Sequence, residues 1–217
     1  MRTDDLIAAI VTAARPVRPL PTPWVRAAGW LAAGGVWLAF ALSVLGPRAD
    51  LTHRLGEPTF DLELAAILAT AVAAAIAAFA SAVPGLDRRL SLLPLPPLAL
   101  WLLTLGESCR AAWLADGGFG GRLAPDWSCV PAVALLLSVP TVLMLSMIGR
   151  RYPLRTRRTA LLGALAAASL ASFGLKLFHD HDVSLFVLVW QLAGLALASL
   201  ILWFAPARRA PAPFTPM

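Results

Sequence analysis

The sequence predicts an all-α membrane protein: six transmembrane helices, both termini cytoplasmic, and a short amphipathic helix in the N-terminal cytoplasmic segment. Three observations carry that prediction. The 217 residues are 59% hydrophobic and 14% charged, with mean hydropathy +0.75, whereas an ordinary soluble domain carries about 25% charged residues. Too little polar surface remains to cover a soluble fold. Six apolar runs each approach the roughly 20 residues that cross a bilayer. Finally, the stretch Gly149 to Arg158 sets five arginines between two of these runs. Lys/Arg clusters between hydrophobic spans mark the cytoplasmic side of membrane proteins, and this context outweighs a nucleic-acid patch.

The first segment, residues 1–23, is polar enough to stay in water. Thr3 followed by Asp4 and Asp5 reads as a helix start, with acids in the first turn where the helix dipole favours them. Leu6, Ile7, Ile10, Val11 and Ala14 then recur on one stripe of a short helix, which Pro16, Pro19, Pro21 and Pro23 end. A helix of about a dozen residues is marginal in water on its own, so the stripe is expected to fold against something. The early acids and the missing cleavage site argue against a signal peptide.

The six spans are placed near Trp24 to Leu45, Leu62 to Val83, Pro96 to Ala115, Val130 to Ile148, Thr159 to Phe178 and Val183 to Ala205. The chain therefore divides into a cytoplasmic segment 1–23, a transmembrane domain 24–205 and a cytoplasmic tail 206–217. The third span follows Leu93-Pro94-Leu95-Pro96-Pro97, which cannot be regular helix throughout, because each proline removes a donor and crowds the preceding turn. A proline at the first helical position is tolerated, so this helix is expected to begin near Pro96. Gly29, Ala33 and Gly34, with the alanines of the second and fifth spans, allow close helix packing in lipid.

Topology follows from counting charge. Arg2, Arg15, Arg18, Arg26, Arg88, Arg89, the five arginines of Gly149 to Arg158, Arg208 and Arg209 fall on one side, thirteen of the 18 Lys and Arg. That excess assigns this side, with both termini, to the cytoplasm. Nine of the twelve acids sort to the other side.

All three histidines and both cysteines then fall on the outer face: His53 in the first outer loop, Cys109 and Cys129 around the second, His179 and His181 in the third. Phe178-His179-Asp180-His181-Asp182 places two imidazoles and two carboxylates at the end of a span. Such groups bind zinc or a similar divalent ion when three or four converge; alternatively, a short hydrated loop simply holds them, since the spacing matches no standard zinc motif. Cys109 and Cys129 admit a disulfide in an oxidising compartment, a free thiol beside the histidines, or a buried apolar cysteine. Residues alone leave these open.

Other chemistry is thin. No phosphate-binding Gly-rich loop, His-Glu-x-x-His or Gly-x-Ser-x-Gly pattern is present, and Gly117-Gly118-Phe119-Gly120-Gly121 reads as a loop tip. Almost no charge is expected within the spans except Glu107, Arg110 and Lys176 near the outer ends, with Glu107 and Arg110, three apart on one helix, expected to pair.

Met1-Arg2-Thr3-Asp4-Asp5-Leu6-Ile7-Ala8-Ala9, Gly46-Pro47-Arg48-Ala49-Asp50-Leu51, Cys129-Val130 and Leu185-Phe186-Val187-Leu188-Val189-Trp190, in this order within six spans, resemble the NrsF-type membrane anti-sigma factors over essentially the whole chain. The resemblance implies a multi-pass protein of the bacterial inner membrane that holds an extracytoplasmic-function sigma factor inactive and releases it on metal or oxidant stress. It implies no enzyme activity and no direct nucleic-acid contact. The N-terminal helix, with Asp4, Asp5, Leu6, Ile7, Ile10 and Val11, becomes the expected sigma-binding element, and Arg155 and Arg157 an expected second, electrostatic contact. Two outward cysteines belong to signal sensing in that family. Cys129 stands where the first belongs; His179 stands where the second is expected, and Cys109 is extra. Mixed ligation of zinc or another divalent metal by Cys129, His179 and His181, with Asp180, Asp182, Cys109 or His53, is the expectation this departure favours. A competing reading is a small membrane metal-dependent enzyme or transporter that uses the same outer cluster, for which zinc with an open coordination position near Glu107 is required.

Overall fold

The computed structural model describes residues 3–13, 21–83, 85, 88–116, 129–149 and 157–178. These form α1 (Thr3–Ala13), α2 (Pro23–Leu45), α3 (Leu51–Arg54), α4 (Pro58–Ser81), α5 (Leu95–Asp116), α6 (Cys129–Gly149) and α7 (Arg157–Phe178), with a 3-10 turn, Arg88–Leu92, ahead of α5. No strand occurs among the described residues. Five helices, α2, α4, α5, α6 and α7, are long and apolar enough to cross a membrane. The expected sixth span, Val183 to Ala205, lies outside the described residues.

Prolines set several starts, as a residue without an N–H can at no cost in the first turn. Pro23 opens α2 and Pro58 opens α4. The helix expected from Leu62 thus begins four residues earlier, with Asp61 in its first turn, where a carboxylate meets the positive end of the helix dipole. In α5, the Leu98 N–H donates to the Pro94 carbonyl at 3.0 Å, so the helix grows from the proline run itself and starts at Leu95, one residue before the expected Pro96. At the end of α2, Gly46 takes φ 83° and returns its N–H to the Leu42 carbonyl at 2.9 Å, a left-handed stop that a glycine adopts without a Cβ clash.

α4 sits at the centre, packed against α7, α5, α2 and the 3-10 turn, while α6 packs on α7 and α2. Its inner surface is made of Ala71, Ala74, Ala75 and Ala78, all buried in one cluster with Ala166, Ala167 and Ala171 of α7. Small side chains let helices approach closely, which is how association is driven where apolar burial against lipid gives little. α2 and α7 use glycine in the same way and reciprocally. A Cβ on Gly34 of α2 would lie 2.6 Å from Leu170 Cδ2 of α7, and a Cβ on Gly174 of α7 would lie 2.7 Å from Leu38 Cδ2 of α2.

Pro140 stands inside α6, where it lacks the N–H that the Leu136 carbonyl would otherwise accept. Tryptophans of α2 brace this stretch. Trp30, fully buried, donates its indole N–H to the Pro140 carbonyl at 3.0 Å, and Trp37 donates to the Leu135 carbonyl at 3.3 Å.

Polar contacts fix which helix ends lie together. At one end, Arg26 of α2 donates to the Met147 carbonyl of α6 at 2.7 Å and lays its guanidinium 4.5 Å from the ring centre of Phe79 in α4. The Ser81 hydroxyl of α4 donates to Thr159 Oγ1 of α7 at 3.0 Å beside it. At the opposite end, the Arg48 N–H donates to the Leu177 carbonyl at 3.1 Å, joining the α2–α3 connection to the end of α7.

Candidate partner-binding and sensing sites

α1 forms over Thr3–Ala13, as the apolar stripe and the following prolines predicted. Asp4 and Asp5 occupy its first turn and are exposed. Leu6, Ile7 and Val11 stand 45%, 53% and 68% exposed. Ile10 shares the helix, but its side chain lies outside what is described. A run of exposed branched apolar side chains headed by two acids, with no Lys or Arg inside the helix, suits a groove on another protein better than an anionic lipid surface, which attracts basic residues. Of the two arginines expected to assist, Arg157 is the exposed first residue of α7 and Arg155 lies outside the described residues.

Three of the residues expected to sense lie on described helices. Cys129 is the first residue of α6, Cys109 lies in the second half of α5, and His53 lies on α3. His179, Asp180, His181 and Asp182 lie outside the described residues. Among the described residues no three His, Cys, Asp or Glu side chains gather as metal ligands. His53 is exposed and has Glu57 as its acidic neighbour, Nδ1 to Oε1 3.4 Å, so α3 directs it toward its own loop.

That loop is an ion-pair network built from the segment Gly46 to Leu51. Arg48 is buried and grips Asp50 with both arms of its guanidinium, Nε to Oδ1 2.5 Å and the second nitrogen to Oδ2 2.8 Å. Its guanidinium also stands 5.8 Å from the Phe60 ring centre. Arg54 donates to Asp50 Oδ2 at 3.2 Å and to Glu57 Oε2 at 3.2 Å. The hydrogen bond from Arg48, aided by Arg54, holds the Asp50 carboxyl well below the usual carboxylate range. Bidentate Arg–carboxylate geometry gives direction as well as charge, so this cap ties α2, α3, α4 and α7 together at one end.

The expectation for charge inside the spans needs correction. Glu107 and Arg110 do pair, at 2.6 and 2.9 Å, on the exposed face of α5. Lys176, however, does not stand alone: its ammonium donates to Glu63 Oε2 of α4 at 2.9 Å, with side chains 14% and 6% exposed. Glu63 Oε1 has no hydrogen-bond partner among the described residues. Next to it, Trp101 of α5 packs on Ala66 and Ile67 of α4, with Phe173 of α7 on the same cluster. Sequence reasoning missed Glu63 because its partner is 113 residues away; the available signal was an acid embedded in the most alanine-rich apolar run. Arg26, counted only as cytoplasmic charge, is likewise buried within α2.

A helical bundle with five membrane-length helices, an exposed N-terminal helix and an ion-paired cap between α2 and α4 is compatible with a multi-pass membrane protein. The chain belongs to the NrsF family, negative regulators of sigma F, whose match spans residues 10–209. The match opens inside α1 and runs through all the larger helices. Family membership makes this a negative regulator with a sigma factor as its partner class. No curated protein and no solved structure matches the chain.

Proposed function

We propose that the protein is an anti-sigma factor of the bacterial inner membrane that sequesters an extracytoplasmic-function sigma factor through α1 on the cytoplasmic side. The single observation that carries this reading is the exposure of Leu6, Ile7 and Val11 on a helix that needs a partner surface to be stable. The orientation rests on charge: Arg26, Arg89, Arg157 and Arg158 gather toward the end from which α2 starts, and an excess of Lys and Arg marks the cytoplasmic side. Arg155 and Arg157 add a salt-sensitive contact to an acidic surface of the sigma factor.

On the envelope side, Cys129 with His179 and His181 receives a metal or oxidative signal, with Asp180, Asp182, Cys109 and His53 as further candidate ligands. Supporting this are the positions of Cys129, Cys109 and His53 toward one end of the bundle, the end at which α7 leads into His179. Zinc or another divalent ion suits a mixed thiolate and imidazole set. Purified protein is expected to hold such a metal, and His179→Ala to lose it; substoichiometric metal in both samples would remove this part of the reading. For the docking part, Leu6→Asp with Ile10→Asp should abolish co-purification of the sigma factor while the protein stays in the membrane. Wild-type recovery of the sigma factor with that variant would refute it.

A further inference from the structure

α4 and α7 meet through a surface with little relief. The buried side chains they contribute to the shared core are mainly alanines, with Phe79 of α4 and Leu170 of α7 the larger ones. Small-residue interfaces pack closely, yet they offer few steric stops against sliding along the helix axes. Directional contacts therefore add to what fixes the register of α4 against α7. Two such contacts stand at the two ends of the pair: Glu63 with Lys176 at 2.9 Å and Ser81 with Thr159 at 3.0 Å.

The spacing of these pins matches. At about 1.5 Å per residue, Glu63 and Ser81 are about 27 Å apart along α4, and Thr159 and Lys176 about 26 Å apart along α7. Both pins are made in the same antiparallel register. A slide of one helical turn, about 5.4 Å, breaks both together, so the state of one end is read at the other.

The two pins differ in strength and in reserve. Ser81 with Thr159 is a neutral hydrogen bond. Glu63 with Lys176 is a charge pair shielded by protein, but its carboxylate uses only one oxygen among the described residues. Such a pair is strongly favoured over a broken one and poorly favoured over an alternative partner that also satisfies the second oxygen. Its place in the chain matters too. Lys176 is followed directly by Leu177, whose carbonyl holds Arg48, and then by Phe178 and His179.

We propose that Glu63 and Lys176 form a latch that holds α4 and α7 in the register required for repression, and that opening this latch carries the signal from the capped end to the α1 end. The inference rests on the anti-sigma reading above, and it assigns the coupling to a pair inside the bundle.

The test uses the full-length protein in membranes, in four forms: wild type, Lys176→Met, Glu63→Gln, and the charge exchange Glu63→Lys with Lys176→Glu. Two readouts are taken at equal membrane levels. One is disulfide cross-linking between Ser81→Cys and Thr159→Cys introduced in each form, which replaces the far pin and reports the register of α4 against α7 at that end without any partner. The other is transcription from a sigma-dependent reporter. Each single substitution is expected to lower cross-linking and raise the reporter by about fivefold or more, and the exchange to restore both toward wild type. Wild-type cross-linking in Lys176→Met and Glu63→Gln overturns the latch. Cross-linking that falls and recovers while the reporter never moves also overturns it, as the pair is then structural only. A wild-type chain that fails to lower the reporter at all condemns the anti-sigma reading, while the cross-linking arm still reports whether Glu63 and Lys176 hold the register.

Discussion

Lys176 of α7 reaches Glu63 of α4 across 2.9 Å, and the two side chains are almost wholly enclosed by the bundle. Removing one charge strands the other, which costs about 3–5 kcal/mol, whereas removing both for apolar groups of similar size is far milder. Thermal unfolding in detergent should therefore rank Lys176→Met well below wild type, and Lys176→Met combined with Glu63→Leu between the two. A double variant as unstable as the single one would show that packing, not the stranded carboxylate, sets the loss.

The reciprocal glycine contacts make a second prediction. With Leu170 Cδ2 and Leu38 Cδ2 within 2.7 Å of the missing Cβ positions, Gly34→Ala or Gly174→Ala must displace a leucine end and should cost about 1–3 kcal/mol. Gly35→Ala, whose added Cβ meets nothing within 4 Å, is the control and should be neutral or better. The three variants can be compared by denaturant midpoint in one detergent.

The Trp30 to Pro140 hydrogen bond braces α6 where its ladder is interrupted. Trp30→Phe keeps most of the ring packing and removes the donor, so a loss of about 1 kcal/mol is expected, within the usual range for one hydrogen bond. Trp30→Ala removes the packing as well and should cost about 3–5 kcal/mol. Similar losses for the two would assign the residue's role to the indole N–H alone.

Much of this fold is readable in the chain because hydropathy needs only local sums. The five described spans and α1 fall where apolar periodicity and proline place them. What escapes is set by contacts distant in sequence. The start of α4 at Pro58 was hidden by Asp61, an acid that makes a window look polar although it sits in the first turn of the helix. Arg26 looked like surface charge because nothing near it in sequence announces Met147 or Phe79. The one-turn α3 is too short to show a period. For the candidate site, the α1 stripe was legible for the same reason as any amphipathic helix, while the Arg48 grip on Asp50 depends on a turn geometry that no spacing rule encodes.

That grip predicts a pH dependence of definite sign. The Asp50 carboxyl is held below its ordinary value by Arg48 and Arg54. A group with a depressed folded value stabilises the fold fully above its unfolded pKa, about 3.9 for Asp, and the contribution fades as pH falls from there toward the lowered value. Between about pH 5 and 7 the network should therefore be insensitive to pH, and below about pH 4 wild type should lose stability. Asp50→Asn lacks the contribution throughout, so melting curves of the two proteins should converge on acidification. A constant gap down to the lowest accessible pH would contradict the assignment.

The central claim, that α1 is the sigma-binding element, is tested most directly by hydrogen exchange of the full-length protein in nanodiscs, with and without a purified sigma factor that it captures. Free α1 is short and exposed along Leu6, Ile7 and Val11, so its amides should exchange quickly. Binding is predicted to slow exchange across Thr3–Ala13 by about tenfold or more. If the sigma factor binds while exchange in Thr3–Ala13 stays the same, the docking surface lies elsewhere and the account is wrong.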